Sequence, residues 1–354
     1  MGWQDEAPRQ PIGSLVSYLV VLYVFVPMVL LLFAHRKSTG ASIGVFPASG
    51  ALVGVFTLLA LVPTARWLAW SQDILLLVST MLLFSFMKML RVLMGHFHPS
   101  VVEGPDKFLL FFLIPSEVSF CPSQHVRIRG IRRLAVSMGE FLLSAVAYYA
   151  TLWLVKTFPS LSGYQRAMYL PETIIVYLHI RVFLNGVLLG GTELLHGDGI
   201  EMEETWRNLA AANSLQGIWR GWNTGVHDSL LLCSYLPLRR SLQTYALSRT
   251  AAAIASMGLT FFLSGLLHEA VIWVRTGSCG GSQLLFFMLQ FLGILIERLL
   301  WSRVPDKSFR WSREVLGRFF LYAWLALTLP AFMSEVGPPV AEFFPELQLA
   351  WPPQ

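Results

Sequence analysis

Long runs of apolar residues constrain this chain of 354 residues more than any other feature of its sequence. Eight runs reach or approach the roughly 20 residues that an α-helix needs to cross the hydrocarbon core of a bilayer. Charged residues form only 13% of the chain, against about 25% in soluble domains, which excludes an ordinary water-soluble protein. We therefore predict an all-α, polytopic membrane bundle of about eight transmembrane helices, forming a single domain over residues 1–354. The predicted spans are 14–33, 47–62, 73–90, 135–155, 171–190, 250–274, 282–300 and 316–333.

Positive charges predict how these spans are oriented. Of the 26 Lys and Arg residues, 19 lie in alternate loop segments and 5 in the segments between them. Because basic residues are retained on the cytoplasmic side, both termini are predicted to be non-cytoplasmic. The net charge of +5 is spread over loops, which argues against nucleic-acid binding. The predicted cytoplasmic segments are 34–46, 91–134, 191–249 and 298–318.

Two segments match neither a plain loop nor a plain span. Residues 105–122 have an apolar core too short for a bilayer and bracketed by prolines, which predicts a re-entrant or interfacial segment. Residues 218–235 mix aromatic, apolar and basic side chains, which predicts one amphipathic helix on the cytoplasmic face of the membrane. The pair Gly186 and Gly190 has GxxxG spacing, which predicts close helix packing.

Common catalytic signatures are absent from the sequence. There is no GxSxG nucleophile elbow, no HExxH zinc motif, no P-loop and no histidine followed five residues later by aspartate. Cys121, Cys233 and Cys279 are too scattered for a disulfide framework or a metal site. We therefore expect neither a metal nor a bound cofactor.

Charged and imidazole groups within apolar spans are costly, at roughly 2.5 to 3.5 kcal/mol for a central charge, so each one is a candidate for function. Lys88, Arg298 and Arg181 are explained by snorkelling or by pairing with a carboxylate such as Glu140. Glu297 lies at a predicted helix end and is assigned no special role. The candidates are Lys88, Glu140, His179, Arg181, His268, Glu269, Glu297 and Arg298.

His268 lies well inside the predicted span 250–274, with about two and a half turns of apolar residues on its cytoplasmic side. A neutral imidazole in a low-dielectric site can take a proton from a hydroxyl group, which would make His268 a general base. The alternative is a structural histidine that bonds a neighbouring helix or Ser264, one turn earlier. The segment itself favours neither role.

A second cluster of candidates lies between Trp206 and Pro237. On one helix, Trp219, Asn223 and His227 would share a face, since they are four residues apart. Aromatic rings there would border an acyl chain, Arg220 would contact phosphate and the Asn223 amide would hold a hydroxyl or carbonyl group. The alternative is an interfacial helix anchored by tryptophan and arginine.

Together, these segments resemble the membrane-bound O-acyltransferase superfamily, in its plant-type wax synthase branch. Ser214–Asn223, SLQGIWRGWN, resembles the SLxxFWxRRWN block of that branch, and Ser264–Val271, SGLLHEAV, resembles its SGLxHE block. The order of the blocks and the chain length also fit. The sequence departs from the first block at Gly217 and Gly221, where an aromatic or acidic residue and an arginine are more usual.

The resemblance implies a fatty acyl transfer from acyl-CoA, as a substrate, to a long-chain alcohol, which forms a wax ester. His268 would be the general base and Asn223 would orient a substrate or stabilise developing charge. Substrate and CoA would be bound by Trp219, Arg220, Trp222 and His227, with Arg239, Arg240 and residues 127–133 as further basic groups. The location implied is the endoplasmic reticulum membrane.

Two alternatives to wax ester synthesis stay open. The motifs concern the reacting centre and not the lipid tails, so diacylglycerol, a sterol or a terpenoid is also a possible acceptor. A membrane transporter would use the same intramembrane charges as a polar pathway, and a scaffold would use them for packing. Acyl length and oligomeric state are not encoded in these motifs.

Overall fold

The computed structural model describes residues 72–114, 117–120, 125–157, 174–175, 177–196, 200–207, 212–245, 247–302 and 310–343, with isolated positions between 19 and 34. The predicted span 47–62 lies outside the described residues, and the predicted span 14–33 lies largely outside them. The described part is mostly helical, with two strands of two residues each, β1 Val118–Ser119 and β2 Glu201–Met202.

Long helices coincide with the six predicted spans that the structure describes. Within the described residues, four helices have the length and hydropathy to cross a membrane: Tyr177–Leu195, Arg249–Thr276, Ser282–Trp301 and Glu314–Glu335. The helical membrane fold is therefore confirmed. In chain order the helices are α1 Gln72–Met94, α2 Pro105–Leu113, α3 Val126–Thr157, α4 over 177–196, α5 Leu215–Gly221, α6 Thr224–Leu230, α7 Leu236–Thr244, α8 Arg249–Thr276, α9 Ser282–Ser302 and α10 Arg310–Phe343.

Three short stretches have other helical geometries. A 3-10 turn, Pro99–Val102, precedes α2. A π-helical stretch, Val182–Gly190, lies within α4, and a second one, Leu231–Tyr235, connects α6 to α7. π-helical turns often occur at functional sites.

Helix α9 has an apolar outside and a polar inside. Its outward leucines, at seven-residue intervals, are 45–64% exposed, whereas the polar residues at the same interval on the opposite face are buried. This is the reverse of a water-soluble helix and fits a helix surrounded by lipid. The outward residues are Leu285, Leu292 and Leu299, and the inward ones are Gln283, Gln290 and Glu297.

The chain divides into two compact units that alternate along the sequence. The first comprises Met1–Phe120, Asp228–Ser256 and Leu267–Cys279; the second comprises Cys121–His227, Met257–Leu266 and Gly280–Gln354. Helix α8 therefore contributes residues to both units.

In the first unit, the segment predicted to be re-entrant contains the nine-residue helix α2. At 1.5 Å per residue, α2 is about 14 Å long, which is too short to cross a bilayer. The rings of Phe108, Phe111 and Phe112 are fully buried, and the buried Lys88 ammonium lies 4.1 Å from the centre of the Phe111 ring. Since α2 packs within protein, a short helix is tolerated there.

In the second unit, α3 and α4 approach each other through glycines. A methyl group at Gly186 would overlap the Ser137 side chain, and one at Gly190 would lie 3.1 Å from the Gly130 carbonyl oxygen. The GxxxG pair therefore serves close helix packing, as predicted.

Ion pairs also join α3 to α4. Arg181 pairs with Glu140 at 3.1 Å, which confirms the partner predicted for this arginine. Near the other end, the fully buried Glu193 accepts from Arg129 at 2.9 Å and lies 3.3 Å from Arg133. Paired charges of this kind avoid the cost of an isolated charge inside the protein.

Candidate functional site

Asn223 lies at a break between two helices. Helix α5 ends at Gly221 and α6 begins at Thr224, so the single helix predicted over 218–235 is wrong, and Trp219, Asn223 and His227 do not share one helical face. The break has a local cause, since the Asn223 Oδ1 atom accepts a hydrogen bond from the Val226 N–H at 3.2 Å. Asparagine is a favoured N-cap because it satisfies such orphan N–H groups.

The start of α5 is fixed by two side chains. Ser214 Oγ accepts from the Gly217 N–H at 3.0 Å, and the Glu297 carboxylate of α9 accepts from the Leu215 N–H at 3.1 and 3.2 Å. Glu297 also receives hydrogen bonds from the Gln216 backbone and the Trp301 side chain. The prediction that Glu297 needs no special role is therefore wrong. The sequence signal for it was the seven-residue repeat of Gln283, Gln290 and Glu297.

The end of α5 and the start of α6 are paired with residues 204–207. The Arg207 N–H donates to the Gly221 carbonyl at 2.9 Å, and the Thr224 N–H donates to the Thr205 carbonyl at 2.8 Å. The Thr224 hydroxyl donates to the Glu204 carbonyl at 2.7 Å. These bonds hold the backbone on both sides of Trp222 and Asn223.

The two tryptophans of the motif belong to separate aromatic clusters. Trp222 stacks on Tyr177, with ring centres 5.7 Å apart, and contacts Trp206 at 4.9 Å. Trp219 packs on Phe261 of α8 at 5.6 Å and on Phe287 of α9 at 5.4 Å, and among the described residues its indole N–H has no hydrogen-bond partner.

Arg220 and His227, which were predicted to bind substrate, differ in exposure. Arg220 is exposed in the last turn of α5, where a basic group faces the negative end of the helix dipole. His227 is half-buried in α6. Their contact with substrate stays a prediction.

His268 lies on α8, eight residues before the helix ends at Thr276, and is half-buried. The buried positions of α8 include Ser256, Ser264 and Glu269, whereas its exposed positions between Ala251 and Ala270 are apolar. The exposed apolar residues are Ile254, Leu259, Phe262, Leu263 and Leu266. His268 belongs to the first unit, and Asn223 belongs to the second.

Metal binding would need a cluster of ligating side chains, and thiol chemistry would need a reactive cysteine, in the described part of the chain. No group of three or more His, Cys, Asp or Glu side chains within it is placed to hold a metal ion. Burial raises the pKa of the Cys233 thiol, with a smaller opposing effect from Arg91, so this thiol stays protonated at neutral pH. A protonated thiol is a poor nucleophile.

Comparisons with known proteins match the same region. The sequence profile of the membrane bound O-acyl transferase family matches residues 202–289, which contain both Asn223 and His268. The chain is also 26% identical over 267 residues to a long-chain-alcohol O-fatty-acyltransferase from Simmondsia chinensis, and the match covers 72% of this chain and 68% of the relative.

The predicted family resemblance is therefore confirmed. Both comparisons describe acyltransferases, and they show that the chain is similar to wax synthase-like membrane acyltransferases. The match extends the resemblance well beyond residues 205–274, the region that the two motifs cover.

Replacing Glu297 tests its structural role. Glu297→Leu removes the acceptor for the Leu215 N–H and leaves this buried group unpaired, which should cost about 1–3 kcal/mol. We expect a lower Tm in detergent micelles, and an intermediate value for Glu297→Gln, which keeps one acceptor oxygen. The neighbouring Arg298→Ala is the control, since it leaves the Glu297 carboxylate and its bonds to the Leu215 N–H in place and removes an exposed 3.4 Å bond to Gln216. A Glu297→Leu protein that melts like the wild type would contradict this role.

Proposed function

We propose that the protein transfers a fatty acyl group from acyl-CoA to the hydroxyl group of a long-chain alcohol and so forms a wax ester. The observation that carries the proposal is the position of His268, an imidazole inside a helix whose exposed face is apolar. The named activity of the Simmondsia chinensis relative supports a fatty acyl group and a long-chain alcohol as the reacting partners.

The chemistry needs one base. His268 takes the proton of the alcohol while the alcohol oxygen attacks the carbonyl carbon of the thioester. The carbonyl oxygen becomes an oxyanion in a tetrahedral intermediate. This intermediate collapses with cleavage of the carbon–sulfur bond, and the leaving thiolate takes the proton from the imidazolium. The products are the ester and free CoA.

Asn223 is suited to stabilise the oxyanion. Its Oδ1 atom is held by the Val226 N–H, and the described residues offer its Nδ2 group no acceptor. The amide therefore presents N–H donors to a ligand, and donors fixed before the reaction are what an oxyanion requires. In this role Asn223 donates to the thioester carbonyl oxygen.

A site within the bilayer also protects the reaction. Water would compete with the alcohol as a nucleophile and hydrolyse the thioester, and an apolar surrounding excludes it. The alcohol is lipid-soluble and enters from the membrane, whereas the anionic acyl-CoA is attracted from the cytoplasm by the basic segments. Diacylglycerol, sterol and terpenoid acceptors are the alternatives that the assay below distinguishes.

An acyltransferase assay tests the proposal directly. Microsomes that contain the protein are supplied with labelled acyl-CoA and, separately, with a fatty alcohol, diacylglycerol, a sterol or a terpenoid alcohol. We expect ester formation with the fatty alcohol and a loss of about 100-fold or more in His268→Ala, since general bases contribute on this scale.

The matched control for His268→Ala is His179→Ala. His179 is also a half-buried histidine of a membrane helix, but its Nδ1 atom contacts the Ile175 carbonyl of its own helix at 2.8 Å. This variant should keep its activity. The proposal is overturned if the wild type acylates none of these acceptors, or if His268→Ala is as active as the wild type.

Substitutions of Asn223 separate its two roles. Asn223→Asp keeps an oxygen for the Val226 N–H but has no N–H donors, whereas Asn223→Ala loses both functions. If donation to the oxyanion is the role, both variants lose about 100-fold or more in kcat, while only Asn223→Ala lowers the Tm. A fully active Asn223→Asp protein would show that Asn223 serves only as a helix cap.

We further propose an endoplasmic reticulum location with non-cytoplasmic termini. The two ends of α3 test this orientation, since Arg127 lies in the predicted cytoplasmic segment and Thr157 in the opposite one, and both side chains are exposed. In a protein without its native cysteines, an impermeant maleimide should label Arg127→Cys in sealed microsomes. Thr157→Cys should react only after permeabilisation. The reverse pattern would refute the orientation.

A further inference from the structure

The amide of Asn185 in helix α4 is engaged with a backbone segment that no sequence motif linked to it. Its Oδ1 atom accepts from the Thr205 N–H at 3.1 Å and the Trp206 N–H at 3.3 Å, and its Nδ2 group donates to the Trp206 carbonyl at 2.6 Å. The side chain is 95% buried and lies in the π-helical stretch Val182–Gly190. A single side chain therefore satisfies three buried backbone groups.

These bonds continue to Asn223 through the backbone. Thr205, whose N–H is held by Asn185, accepts from the Thr224 N–H at 2.8 Å, and Thr224 directly follows Asn223. Asn185 also bonds both the N–H and the carbonyl of Trp206. The Trp206 and Trp222 ring centres are 4.9 Å apart, and Trp222 directly precedes Asn223. Asn185 is thus connected to both neighbours of Asn223.

A second side chain of α4 supports the same segment. The Tyr177 hydroxyl donates to the Arg207 carbonyl at 2.7 Å, and its ring stacks on Trp222. Because buried networks of hydrogen bonds fix a single arrangement when every member is satisfied, the position of residues 205–207 depends on α4.

We propose that Asn185 is a positioning residue, which fixes the Asn223 amide for its role in acyl transfer by holding Thr205 and Trp206. The inference rests on the proposed function of Asn223. Asn185 itself touches neither substrate nor the reacting atoms. It acts through the backbone of residues 205–206 and 224.

Kinetics of Asn185→Ala test the inference. We expect kcat to fall about tenfold or more, with the KM for acyl-CoA changed less than about twofold, since small displacements of a catalytic group cost this much. In an Asn223→Ala background the same change should have almost no further effect on kcat. If Asn185→Ala lowers kcat by the same factor in the Asn223→Ala background as in the wild type, the inference is overturned. The control is Thr192→Val on the same helix, because among the described residues the Thr192 hydroxyl bonds only the Leu188 carbonyl within α4.

Hydrogen exchange tests the positioning without any need for activity. In Asn185→Ala, the amides of Thr205, Trp206 and Thr224 should exchange at least about tenfold faster than in Thr192→Val. Unchanged exchange would overturn the inference even if ester formation is observed. A protein that forms no ester but shows the faster exchange would instead reject the proposed function alone.

A variant with a smaller structural change covers the case in which Asn185→Ala does not fold. Thr224→Val is nearly isosteric and removes only the hydroxyl that bonds the Glu204 carbonyl. If the pairing of residues 204–207 with 221–224 positions Asn223, this variant should lower kcat by about threefold or more. A Thr224→Val enzyme with wild-type kcat would overturn the inference.

Discussion

The cost of leaving polar groups unpaired inside a lipid-surrounded protein governs this structure. Hydrocarbon offers no hydrogen bonds, so polar side chains on membrane helices turn inward and find protein partners. Helix α9 shows the result most simply. Its Gln283 and Gln290 amides bond the Phe332 carbonyl and the Thr328 hydroxyl of α10, and its Glu297 carboxylate bonds the start of α5.

The same constraint explains how an irregular segment is held in the second unit. Residues 204–207 and the break at Trp222 and Asn223 carry backbone groups that no regular helix satisfies. Asn185 of α4 bonds Thr205 and Trp206, Glu297 of α9 bonds the start of α5, and residues 205–207 and 221–224 bond each other. The costly polar residues of these spans therefore stabilise the segment that carries Asn223.

Hydropathy was sufficient to predict the four described helices that are long and apolar enough to cross a membrane, because a run of about 20 apolar residues has few other solutions. The Arg181 and Glu140 pair was predictable for a related reason, since charges within spans are rare and each has few possible partners. The break at Asn223 was not predicted, because the i, i+4 spacing of Trp219, Asn223 and His227 is typical of an unbroken helix. Asn185 was missed because its backbone partners, about 20 residues away, leave no periodic signal in the sequence. The seven-residue repeat that includes Glu297 indicates a polar helix face but not a backbone partner 82 residues away.

The chemistry of the amide explains why asparagine suits position 223. The break requires an acceptor for the Val226 N–H, and the proposed acyl transfer requires a donor for the oxyanion. An aspartate would satisfy the first need but place a negative charge beside a developing one. A serine would have one hydroxyl, whose orientation is not fixed by the cap. An amide separates the two functions onto two atoms, so accepting the cap bond through Oδ1 directs the Nδ2 donors away from the helix.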